Sequence, residues 1–214
     1  MVDMTEKDFV IVIGREFGSG GRMVGRQLAE RLGVPYYDKN LLAEAAREFG
    51  FDKEILADAD EKRPSFIRSF VGSSFGSSSD FGFWGTLSPD AIYELQSRVI
   101  SGICRRGPCV IVGRTADYIA RDVTNLVSVF LHAPADFKCK RIIDRGDAST
   151  IEEALRLSRK ADSKRESYYN YYTGRIWGKA STYHLSLDAS TLSTEETVET
   201  IIRFLKAKAS VSED

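Results

Sequence analysis

The stretch FVIVIGREFGSGGRMVGRQLAERL, residues 9–32, constrains the fold more than any other part of the chain. Residues 9–13 are an unbroken apolar run that reads as a buried strand. From residue 22 to 32 the small or apolar positions Val24, Leu28, Ala29 and Leu32 recur at helical spacing. Between the two lies a turn carrying Gly14, Gly18, Gly20 and Gly21, with Arg15, Ser19 and Arg22 among them. A glycine-rich turn from strand to helix aims backbone N–H groups at one point, and the helix start adds partial positive charge, a combination suited to phosphate. The nearest pattern is G-x-x-x-x-G-K-[ST]. Aligning Gly18-Ser19-Gly20 with its G-S-G places Gly21 at the lysine and Arg22 at the hydroxyl residue that ligands Mg²⁺, and Gly14 sits one residue too far away. A dinucleotide site is the competitor, but G-x-G-x-x-G with an acid about 20 residues on is not cleanly present. A purely structural glycine turn is the other alternative.

Four further apolar runs follow, at residues 34–37, 109–112, 126–131 and 183–187. Helical patterns separate them: one opening at Ser88-Pro89-Asp90 and running through Ile92, Leu95, Val99 and Ile103, one over residues 134–145 and one over 194–208. Continuous apolar strands alternating with helices predict an α/β fold, a five-stranded parallel sheet covered on both faces. Residues 65–87 mix Ser and Gly with Phe and Trp and read as a mobile lobe over a ligand, or alternatively as a plain surface loop. Residues 144–179 are rich in Arg and Lys.

The chain of 214 residues has 43% hydrophobic and 29% charged residues, the balance of one folded domain. A formal net charge of -1 argues against a nucleic-acid partner held by bulk charge, so an anion site has to be built locally. The opening residues show no secretory signal pattern, and nowhere do about 18 apolar residues run together, so a cytoplasmic chain with no membrane span is expected. Three cysteines and two histidines without a CxxC pair indicate neither a disulfide framework nor a zinc site.

With these residues in place, the stretch IGREFGSGGRMVGRQLAERLGVPYYDKNLL resembles the opening of the cytidylate kinase-like family, a variant branch of the P-loop nucleoside monophosphate kinases. VIVGRTADY at 110–118 resembles that family's strand and G-R-D segment, and FLHAP at 130–134 the strand leading into its arginine-bearing lid helix. RKADSKR at 159–165 resembles the R-D-x-x-D-S-x-R run, and YHLSLD at 183–188 the last strand. The resemblance implies a three-layer P-loop fold spanning the whole chain, with mobile helical segments: an acceptor-side insertion at 50–90 and a lid at 144–179. It implies ATP with Mg²⁺ as cofactor, a nucleoside monophosphate acceptor with CMP or dCMP favoured, and no metal held by the protein itself. The loop Gly14, Arg15, Gly18, Ser19, Gly20, Gly21 and Arg22 is assigned to the ATP phosphates. Arg22, or else Arg15, stands in for the missing lysine; for Arg15 a solvated side chain is the alternative. Asp38, Arg114 and Asp117 fall at the acceptor, with Asp38 ordering the Mg²⁺ shell through water, although Asp38 could instead cap the helix after it and Arg114 could end in a strand-end salt bridge. Arg141, Arg145, Arg159 and Arg165 form a clamp over the phosphates. Asp162 recognises the base or orients Arg165, with a local helix ion pair the plainer reading. The tyrosines at 168, 169, 171 and 172 read as packing.

Phosphoryl transfer between nucleotides needs positioning and charge neutralisation rather than a nucleophile or base, because the acceptor phosphate is already ionised. Arginines and backbone donors are what this sequence offers. Two other functions stay open: a P-loop kinase of another small acceptor, with Asp38 as base for an alcohol, and a nucleotide-binding regulatory module with weak or no kinase activity.

Overall fold

A computed structural model describes residues 9–38 and 88–211. The expected insertion at 50–90 and the helix after Asp38 lie, for residues 39–87, outside the described residues. Five strands form one all-parallel sheet in the order β2-β3-β1-β4-β5. β1 is Val10–Arg15, β2 Tyr36–Tyr37, β3 Cys109–Val112, β4 Leu126–His132 and β5 Leu185–Asp188. β1 runs past its apolar run because Gly14 and Arg15 keep pairing with Phe130 and Leu131, and β4 gains His132, which pairs with Asp188 of β5. β5 starts two residues late: His184 bonds through its backbone N–H to Ser128, and Tyr183 turns its ring onto Phe130 before the ladder begins.

The helices follow from the apolar periodicity and from caps. α1 (Gly21–Leu32) buries Val24, Leu28 and Ala29 and ends at Gly33, whose φ of 67° suits a glycine stop. α2 (Pro89–Arg105) starts on Ser88, whose hydroxyl accepts the Ala91 N–H, with Pro89 in the first turn, where its missing N–H costs nothing. α3 (Ala116–Ile119) is a single turn, and α4 (Ala135–Asp144) follows β4 directly. α5 (Ile151–Thr173) is capped by Thr150 and ends at Gly174, φ 66°. At α6 (Thr194–Val211), Ser193 and Glu196 bond each other's backbone N–H groups, a reciprocal capping box.

One sheet face is buried by α1 and α6, through Ile11, Ile13, Val110 and Val129 against Leu28, Val198 and Ile201. The opposite face packs Val10, Val12 and Ile111 against Leu95, Val99 and Ile103 of α2. The result is three layers. A smaller cluster of Cys139, Ile142, Ala148 and Ala154 joins α4 to α5 and packs on Phe17 of the glycine turn. No helix among the described residues is long and apolar enough to cross a membrane.

Candidate active site

In an open parallel sheet, ligand crevices form outside the carboxyl ends of strands that lead to opposite sides. Here that place is the end of β1, between β3 and β4. The glycine turn leaves β1 there, with Gly18 at φ 89° and Gly20 at φ 90°, backbone that side chains rarely adopt. Side chains would also collide: a Cβ on Gly18 would come 3.0 Å from the Lys138 carbonyl oxygen, and one on Gly20 would come 2.8 Å from the Arg141 guanidinium. Arg141 therefore lies across the turn. Ser19 is used internally, its hydroxyl donating to the Glu16 carbonyl at 2.9 Å.

Two carboxylates fasten the turn to the helices around it. Glu16 Oε2 accepts the Ala133 N–H at 3.1 Å and the Lys138 ammonium at 2.9 Å. Asp162 Oδ1 accepts the Phe17 N–H at 2.7 Å and the Arg165 guanidinium at 3.1 Å. Arg165 in turn donates to the Arg15 carbonyl at 3.2 Å. Burial pushes the Asp162 carboxyl above the usual range, an effect that the Phe17 amide and Arg165 partly offset. Asp162 thus orients Arg165 and holds the turn.

Beside the turn lies a cavity of about 240 Å³. Its basic lining is Arg15, Arg22, Arg114, Lys164 and Arg165, and its carboxylate lining, among the described residues, is Asp117 alone. Burial, then Arg165, Arg114 and Arg22, pull the Arg15 pKa well below its ordinary value. Arg114 and Arg165 are lowered in the same way, burial first, with Asp162 partly restoring Arg165. Arg114 and Thr115 both have positive φ, 62° and 54°, directly after Gly113. Such backbone costs on the order of 1–3 kcal/mol per residue and collects at functional sites.

The cavity floor is aromatic and polar. The Tyr169 hydroxyl donates to Asp117 at 2.6 Å, and Asp117 is buried, its carboxyl raised by desolvation against that bond. The Tyr183 hydroxyl is buried without a hydrogen-bond partner among the described residues. Tyr168 donates to Gln96 at 3.1 Å while also lining the cavity with Trp177. Tyr172 stacks on Tyr93 at 4.0 Å and Tyr171 is exposed, so of the four tyrosines two face the site, one packs and one lies at the surface.

The structure brings together Gly14, Arg15, Arg22, Arg114, Asp117 and Arg165 on the cavity, with Gly18, Gly20, Gly21, Arg141 and Asp162 supporting it. Arg145 stacks 5.1 Å over the Phe17 ring and pairs with Asp147. Arg159 is exposed on α5 and does not line the cavity. Asp38 is buried at the end of β2, takes a 3.5 Å bond from Tyr36, and favours the charge on Arg114, but it does not line the cavity. Glu16, Lys138, Lys164, Tyr169 and Tyr183 were not singled out for the site by sequence reasoning. Glu16, Lys138, Tyr169 and Tyr183 act across more than 50 residues of chain or through a ring orientation that no local pattern records, whereas Lys164 lies next to Arg165 in the RKADSKR run.

A doubly wound parallel sheet whose first strand feeds a glycine cradle, roofed by arginine-bearing helices, defines a P-loop kinase-type protein. A sequence profile of the cytidylate kinase-like family matches residues 10–191, and the chain belongs to that family. It is 26% identical over 191 residues to a cytidylate kinase of Pyrobaculum aerophilum, covering 88% of each protein. An uncharacterized protein from Eubacterium ventriosum superposes with a TM-score of 0.69 at 27% identity, over 92% of this chain and 98% of that one. A shikimate kinase from Acinetobacter baumannii, solved with shikimate, superposes with a TM-score of 0.52 at 15% identity over 95% of both chains, a likeness of fold.

Proposed function

We propose that the chain transfers the γ-phosphoryl group of ATP to a nucleoside monophosphate, with CMP or dCMP as the preferred acceptor. The observation that carries this reading is the crowding of Arg15, Arg22, Arg114 and Arg165 with Lys164 around one cavity whose described carboxylate is already engaged by Tyr169. Arg15, Arg114 and Arg165 are buried with their proton affinity lowered, by desolvation first and then by neighbouring guanidinium groups, and an anion that joins them stabilises their charge. A triphosphate and a second phosphate supply that charge. In the reaction an oxygen of the acceptor phosphate attacks the γ-phosphorus. The bond to the β,γ-bridging oxygen breaks, and its electron pair leaves with ADP. No proton has to be removed from an ionised acceptor, so the site needs no base.

The glycine turn, with Arg141 across it, holds the ATP phosphates. Arg165, oriented by Asp162, neutralises the transferring group, and Arg114 with Asp117 faces the acceptor. Mg²⁺ accompanies ATP as its phosphate complex. Arg22 stands where a hydroxyl ligand is usual, so the magnesium would be held chiefly by the ATP phosphates and water. An alcohol acceptor would need a base; Asp38, the candidate for that role, does not line the cavity, and Asp117, which does, accepts from Tyr169.

The test is ATP consumption across a panel of monophosphates and small alcohols. Turnover with pyrimidine monophosphates that falls about 100-fold or more in Arg114→Ala and Arg165→Ala is the expected result. Turnover only with an alcohol would refute the acceptor, and ATP binding without any turnover would replace the enzyme with a nucleotide-binding module.

A further inference from the structure

We propose that Arg15 takes the place of the lysine that the glycine turn lacks, gripping the transferring phosphoryl group from beneath α1. The assignment rests on the phosphoryl-transfer reading and identifies the residue that makes a lysine-free turn workable.

The position aligned with the lysine is Gly21, which opens α1. It is glycine for a steric reason. A Cβ there would lie 2.8 Å from both Cβ and Cγ of Arg15, closer than real side-chain atoms approach. Gly21 is not among the positive-φ glycines, so its backbone does not require glycine. The space at the lysine position is filled, and the Arg15 stem fills it. The far end of Arg15 reaches the opposite wall: its guanidinium lies against Gly113, where a Cβ would collide with Nη1. Arg15 thus spans from the glycine turn, which faces the donor phosphates, to the Gly113-Arg114-Thr115 bend on the acceptor side. It lines the cavity between them.

A structural brace does not account for this placement. Among the described residues no carboxylate pairs with the Arg15 guanidinium, and its charged neighbours are Arg165, Arg114 and Arg22. Burying a cation among cations is costly unless an anion completes the set. Arg22, the other candidate, is exposed at the start of α1 and leaves the lysine's space to Arg15. A guanidinium also bridges two phosphate oxygens at once, which an ammonium does not.

The test is a swap, read first as ATP affinity by calorimetry with magnesium present and then as turnover with the monophosphate panel. Arg15→Ala, Gly21→Lys and the double variant Arg15→Gly/Gly21→Lys, in which glycine at 15 also removes the Cβ that lies 2.8 Å from the new one, are compared with the unaltered chain. Arg15→Ala is expected to bind ATP about tenfold more weakly and to lose roughly 100-fold in kcat. The double variant, in which a lysine enters the vacated space, should recover about tenfold of that loss. Gly21→Lys alone, with two side chains in one space, should fall below the double variant. If Arg15→Ala does not fold, as judged by circular dichroism, that last comparison decides the matter, since lysine should be tolerated only when the arginine is gone. ATP affinity and kcat of Arg15→Ala within about threefold of the unaltered chain, or a double variant no better than Gly21→Lys, would overturn the assignment. If the unaltered chain bound no ATP, the phosphoryl-transfer reading would fall and take the assignment with it. Normal ATP binding with an unaffected Arg15→Ala removes the assignment alone.

Discussion

The Asp117 carboxyl sits at the cavity floor with the Tyr169 hydroxyl 2.6 Å away and little water around it. Desolvation is the larger effect and raises its pKa, while the Tyr169 bond works the other way. A carboxyl whose folded pKa lies above its unfolded one stabilises the fold most at pH values below the unfolded pKa. It loses that contribution as pH rises through the folded value. At neutral pH the folded chain therefore carries a charging cost at this residue. Asp117→Asn removes the charge and keeps an oxygen to accept from Tyr169. Its melting temperature should exceed that of the unaltered chain at about pH 7.5, with the gap closing toward about pH 4, while acceptor turnover falls. Asp162 is also raised by burial, but it is present in both proteins and cancels from the comparison. A gap of constant size across that range would mean that the charge is not what matters. From the sequence, Asp117 stood out only through its place after Gly113-Arg114. Its tie to Tyr169, 52 residues away, depends on how α5 lies over the sheet.

Among the elements, the sheet and its covering helices were legible because each rests on a local signal. Apolar runs set the strands, Ser88-Pro89 marks a helix start, and the 3.6-residue period of α2 and α6 fixes their inward faces. What was not legible is how α4 and α5 meet the glycine turn. Those contacts are long-range and pair unlike residues: Glu16 with Lys138, Phe17 with Asp162, Gly18 with Ile142. Asp162 is the clearest case. Its spacing to Arg165 suggested a local ion pair, and that pair exists at 3.1 Å, yet the shorter bond goes to a backbone N–H 145 residues away. The same carboxylate therefore couples α5 to the cradle. Asp162→Ala should lower stability by about 1.5–3 kcal/mol, the range for hydrogen bonds to charged groups, and weaken ATP binding because Arg165 and Phe17 lose a shared anchor. Asp162→Asn, which still accepts the Phe17 N–H, should recover much of the stability but less of the turnover. Equal losses in both properties for the two variants would argue against a division between holding the turn and orienting Arg165. Thermal melts and calorimetry on the two proteins make the distinction.

At the scale of the molecule the charge is almost balanced, a formal net of -1, yet the described cavity carries five basic side chains against one carboxylate. The positive field is thus a local construction, and folding has gathered these cations against their mutual repulsion. Any anion that fits relieves that repulsion only in the folded state, so it must raise the melting temperature by mass action. A ligand at about 100 times its Kd adds about 2.7 kcal/mol, which for a chain of this size is roughly 5–10 °C. Inorganic triphosphate, which has no base or sugar, should give a large part of the shift produced by ATP, and adenosine very little. The shift should shrink as salt is raised from about 0.15 M to about 1 M, since the screening length falls from about 8 Å to about 3 Å; it should not vanish, because Arg15, Arg114 and Arg165 are desolvated. Lys164→Ala and Arg165→Ala should each cut the triphosphate shift, the second more deeply because Arg165 is also fixed to the cradle by Asp162. Adenosine stabilising the chain as well as triphosphate does would mean that the cavity binds through its aromatic floor, and that the gathered arginines serve packing instead of phosphate.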